Sequence, residues 1–126
     1  QTRAYGVDIM VGAATAAAVP ADRFALLEVD NIAVKGKTEA VRIFALIGEV
    51  AAIDLETWVA TKDAQERFLA TYRAGNWDAA ERALEHCREY SLWPTSLDSL
   101  FRGRIARYRI EPPPADWAGV YVAETK

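Results

Sequence analysis

Apolar positions along this chain follow two different periods, and the change falls near Val50. Before it the pattern is that of strands. Val7–Val11 predicts a short strand, and Gly12 opens a small alanine-rich helix that Pro20 stops. Phe24–Val34 predicts a longer strand with Leu26, Glu28 and Asp30 on one face and Leu27, Val29 and Asn31 on the other. Lys35-Gly36-Lys37-Thr38 supplies a turn, where Gly36 is free to take positive φ, and Val41–Ile47 follows as a second β-branched and aromatic run. Two such runs around a tight turn make a hairpin.

After Val50 the spacing is helical. Trp58, Ala64, Phe68 and Tyr72 recur on one face from Glu56 to Ala74, and Gly75-Asn76 ends that run. Asn76 then serves as N-cap for a second helix lined by Ala80, Leu84 and Cys87, which Pro94 closes. Thr95 or Ser96 caps a third helix through Leu97, Leu100, Phe101, Ile105 and Tyr108. Three consecutive prolines, Pro112–Pro114, end it, and a polar tail follows with Trp117, Val120 and Tyr121 as anchors. The expected fold class is therefore α+β: a β-hairpin sheet edge over residues 1–50, then a helical extension over 51–126.

Composition narrows the function classes. With 126 residues, 52% of them hydrophobic and 26% charged, the chain can bury a core and is not a disordered tail. A net charge of -3 and a pI near 5.2 favour neither nucleic acid nor an anionic membrane as partner. The longest apolar stretch, Ile43–Leu55, is broken by Gly48, Glu49 and Asp54 and is too short to span a bilayer. One cysteine excludes an internal disulfide and, with one histidine, a Cys/His zinc cage, so a reducing, cytoplasmic setting is expected. No secretory leader is expected at Gln1, and the chain reads as a piece of something longer.

Candidate chemistry is sparse. There is no Walker loop, dinucleotide fingerprint, Cys-x-x-Cys or nucleophile elbow. His86 and Cys87 are neighbours, but adjacent helical residues point about 100° apart, so a surface histidine and a core thiol are the simpler expectation. Eight aspartates are scattered along the chain, of which Asp8 and Asp54 stand near strand ends where metal sites occur; isolated aspartates more often cap helices. Arg102, Arg104, Arg107 and Arg109 cover about half of a helix surface, as a phosphate-binding stripe or, more simply, as a face paired with acidic residues. Lys35 and Lys37 flank a glycine at a hairpin tip, an arrangement able to reach triphosphate oxygens.

Several blocks in order carry a family resemblance. Tyr5-Gly6-Val7-Asp8-Ile9-Met10-Val11-Gly12, then Phe24–Asp30, Val34-Lys35-Gly36-Lys37-Thr38-Glu39-Ala40-Val41 and Ile43-Phe44-Ala45-Leu46 resemble the C-terminal end of the class III adenylate/guanylate cyclase catalytic domain. The likeness runs from about Thr2 to Gly48. Phe68, Tyr72, Gly75-Asn76-Trp77, Ala79-Ala80 and Leu84 resemble one tetratricopeptide-type helix pair, and with the Pro112–Pro114 and Asp116-Trp117 ending they are similar to the extension that follows the cyclase domain in bacterial proteins bearing a CHASE2 sensor. The resemblance implies a ferredoxin-like sheet edge followed by a TPR-like extension. It also implies a homodimeric parent that converts ATP, or GTP, to the cyclic nucleotide and pyrophosphate with Mg2+ or Mn2+, and that is membrane-anchored only through an upstream sensor. Lys35 matches the triphosphate-binding lysine of the family's V-K-G-K turn, and Lys37 the second lysine. No F-x-D or Gly-Asp pair supplies the family's metal aspartates, and neither Asn31 nor Asn76 is followed by arginine at helical spacing. The chain by itself is thus expected to hold no metal and to be inactive, with a non-enzymatic dimerisation or protein-interaction module as the alternative.

Overall fold

The computed structural model describes residues 10–20, 22–34 and 40–123. In chain order the elements are β1 (Met10–Gly12), α1 (Ala13–Ala18), β2 (Phe24–Val34), β3 (Val41–Glu49), a 3-10 turn (Val50–Ala52), α2 (Leu55–Arg73), α3 (Trp77–Cys87), α4 (Ser96–Ile110) and β4 (Tyr121–Ala123). The fold is α+β: a mixed four-stranded sheet in the order β1-β3-β2-β4 with four helices. The predicted hairpin is present, with β2 and β3 antiparallel, and Ile32 opposite Val41 as the last rung before the connection. Lys35 and Lys37 fall in that connection and lie outside the described residues, as does Asp8.

Two departures from the simple strand pattern shape everything that follows. The β2–β3 register slips between Glu28 and Asp30, a bulge in which Val29 has no partner across the ladder. Glu28 faces Phe44, whereas Asp30 faces Ile43, and Phe44 and Ile43 point to opposite sides of β3. Asp30 therefore does not share a face with Glu28, as strict alternation predicts, but turns inward, where it is 1% exposed. The second departure is β4. The tail pattern predicts anchors but no strand, yet Tyr121–Ala123 pairs in parallel with Ile32–Val34 and covers part of the outer edge of β2. A three-residue strand carries no periodicity, so only its partner reveals it.

The helices begin and end on recognisable chemistry. Asp54 caps α2 by accepting hydrogen bonds from the Thr57 amide at 2.9 Å and the Thr57 hydroxyl at 2.7 Å. Its other end closes at Gly75, where φ is +75°, through Asn76 N–H to Thr71 C=O and Gly75 N–H to Tyr72 C=O, both at 3.0 Å. Asn76 caps α3 through Ala79 N–H, as expected, while the Thr95 side chain makes no cap bond to α4.

One contiguous apolar core crosses the change of period near Val50. Ala25, Leu27, Val29 and Ala45 from the sheet pack with Trp58, Phe68, Leu69 and Tyr72 of α2, Leu84 and Cys87 of α3, and Leu97, Phe101 and Ile105 of α4. Gln65 stitches sheet to helices in this interior, donating to the Glu28 carbonyl at 3.0 Å and accepting from the Trp93 indole at 2.8 Å. Its carbonyl and one amide hydrogen are thus satisfied where burial makes an unpaired amide costly.

Candidate functional site

The inward turn of Asp30 has a partner on α4. Arg104 Nη1 lies 2.8 Å from Asp30 Oδ2, and the two side chains are 8% and 1% exposed. Asp30 Oδ1 also accepts the Asn31 amide at 2.8 Å. The guanidinium is sandwiched by rings, 3.8 Å from the centroid of Tyr121 and 5.1 Å from that of Phe101. Burial works against its charge, but the Asp30 carboxylate and the neighbouring Tyr72 outweigh it, so Arg104 holds its proton more tightly than a free arginine. Among the described residues its Nε finds no hydrogen-bond acceptor.

The remaining arginines of the series divide by position. Arg102 pairs with Asp98 at 2.8 Å and Glu85 at 2.6 Å, tying α4 to α3. Arg109 reaches Asp78 and Glu81 at 2.9 Å, adding a second tie between the same helices. These two form the acid-paired face expected of the series. Arg107 is exposed and makes no ion pair among the described residues.

Arg107 borders a groove of about 500 Å³ between α4 and the segment that runs from Pro113 to Val122. From α4 the lining is Leu100, Gly103, Arg104, Arg107, Tyr108 and Glu111, the i, i+3, i+4, i+7, i+8 and i+11 positions of one helical stripe. Pro113, Pro114, Trp117 and Tyr121 form the facing wall. That wall is fixed from behind. The Trp117 indole donates to the Val120 carbonyl at 2.9 Å, and its ring packs against Tyr72, Trp77 and Tyr108 at centroid distances of 5.4, 5.8 and 5.1 Å. Gly119, at φ +94°, fits against Arg73 so closely that a Cβ there would collide with Arg73 Cγ.

On the sheet side, Glu28 accepts from Arg42 at 2.9 Å and from Arg73 at 2.9 Å. Burial raises the Glu28 pKa, but these two arginines more than offset it and hold the carboxyl below its usual range. Three other expected candidates, Cys87, His86 and Asp54, each hold a structural place. Cys87 is fully buried, and burial pushes its thiol up to about 12, so it is not a nucleophile at neutral pH. His86 faces outward to the Tyr90 hydroxyl at 3.4 Å and to Glu89 at 3.6 Å. Asp54 is committed to the α2 cap.

Sequence patterning placed the arginine series on one helix but not the Asp30–Arg104 pair, because the pair depends on a bulge. A glycine in the middle of a helical run, such as Gly103, is itself a signal of this groove that periodicity does not register. Comparison with known proteins identifies no relative: no family model, no curated protein and no solved structure matches the chain.

Proposed function

We propose that this chain contributes the closing strands of a class III nucleotide cyclase catalytic domain, followed by a TPR-like helical extension, and that Lys35 and Lys37 carry its contact with the triphosphate of ATP. The order of the blocks supports the reading. The Tyr5–Gly12 block ends on β1, the Phe24–Asp30 block lies on β2 and the Ile43–Leu46 block on β3, and the V-K-G-K segment falls in the connection of an antiparallel hairpin. A lysine pair there would meet phosphate oxygens as compact point charges rather than as a planar fork.

Catalysis in that family uses metal-binding aspartates and an Asn/Arg pair that this sequence does not match, so the chain's own part is to bind and orient the polyphosphate. Calorimetric titration of the full chain with ATP and Mn2+ tests it. Saturable binding is expected, weakened about tenfold by Lys35→Ala, with AMP binding no better in either protein and no cyclic AMP formed. Formation of cyclic AMP by the chain alone overturns the reading of its part as binding without catalysis. The second reading, a protein-interaction module, is favoured by Leu55 and Val59, which stand one turn apart on α2 at 60% and 56% exposure. Self-association in light scattering with no affinity for ATP decides for the module.

A further inference from the structure

Gly103 has no structural reason to be glycine. It lies inside α4, at a helix-interior position where glycine costs about 1 kcal/mol relative to alanine. Its backbone does not take the positive φ found at Gly75 and Gly119, and a Cβ built on it would meet nothing within 4 Å among the described residues. A departure from local preference without a packing cause marks a place where open space is kept. The space kept here is the groove, because Gly103 stands on its lining stripe between Leu100 and Arg107.

The groove has the character of a small-ligand site: about 500 Å³, largely apolar and aromatic, with few polar groups. Tyr108, Trp117 and Tyr121 offer ring surfaces. Among the described residues no carboxylate engages the guanidinium of Arg107, and the Nε of Arg104, nine-tenths buried and paired through Nη1 with Asp30, has no acceptor. Asp30 matches the charge of Arg104, so the guanidinium left to meet a ligand's charge is that of Arg107, and the face of Tyr121 that would attract a cation is already covered by Arg104. Glu111 carries the opposing charge at the far end of the stripe, beyond Arg107, which sets the direction in which an anion lies.

We propose that this groove binds a small, flat aromatic carboxylate, its ring over Gly103 against Tyr108 and Trp117 and its carboxylate on Arg107. The proposal is independent of the role given to Lys35 and Lys37. Naphthalene-2-carboxylate is a suitable probe, followed by calorimetry and by the indole N–H resonance of Trp117 in the full chain. Saturable binding is expected with displacement of that resonance, and the uncharged analogue naphthalene-2-methanol should bind about tenfold more weakly. Arg107→Gln should produce the same loss for the carboxylate and none for the alcohol. Gly103→Leu should abolish binding of both while the melting temperature is kept or raised, which separates a filled groove from a damaged fold. Absence of saturable heat at millimolar probe overturns the proposal. So does equal binding of acid and alcohol, or unchanged binding to a folded Gly103→Leu protein.

Discussion

Asp30 and Arg104 are two charges in a place where neither could stay alone. Desolvating an ion costs several kcal/mol, and the pair survives because each neutralises the other and the rings of Tyr121 and Phe101 flank the guanidinium. Breaking it one-sidedly is therefore expected to be far worse than removing it whole. Arg104→Met should cost about 3 to 5 kcal/mol in urea denaturation, because the buried Asp30 carboxylate loses the guanidinium 2.8 Å from it, and the double change Asp30→Leu with Arg104→Met should restore most of that. A single substitution costing less than about 1 kcal/mol would show that the charges contribute little. The exposed ties of Arg102 and Arg109 are the contrasting case, since solvent-accessible ion pairs are worth little individually.

Among the elements, the helices were legible and the sheet only partly so. The stripe Trp58, Ala64, Phe68, Tyr72 and the breaker Gly75-Asn76 fixed α2 and its end, because periodicity and a left-handed cap are local properties of the sequence. The bulge at Val29 and the strand at Tyr121 are not local. Each is decided by a partner strand, so Asp30 shares a face with Glu28 in the sequence pattern and turns to the opposite, inner face in the fold. The groove was hidden for the same reason, since one wall comes from α4 and the other from the segment leading to β4. Gly103 on the groove wall and Gly119 behind the facing one should respond oppositely to the same change. Gly103→Ala is expected to stabilise by about 0.5 to 1 kcal/mol through helix propensity alone. Gly119→Ala should destabilise by about 2 kcal/mol, from the positive φ and the collision with Arg73. Thermal melts of the two variants, one upward and one downward, check both; a Gly119→Ala protein as stable as its parent would mean Arg73 yields freely.

At the scale of the whole molecule, the sheet and the helices share one interior despite the change of sequence period between them. All four tryptophans lie after Val50, none of them in a strand, whereas the amides of Leu27 and Ala45 report on the sheet. Tryptophan fluorescence and exchange of those amides should therefore give the same free energy of unfolding, as expected of one cooperative unit. Two distinct values would show that the halves open independently. The parallel pairing of Ile32 with Tyr121 adds an order in time. During synthesis from the N-terminal side, β2 leaves the ribosome long before the strand that covers its outer edge, and Asp30 emerges long before Arg104. Helices α2 and α3 can close on neighbouring contacts at once, but the buried charge must wait for its counterion. The nascent sheet is thus a late-maturing structure, with a period in which its open edge can pair with a stranger before its own last strand arrives.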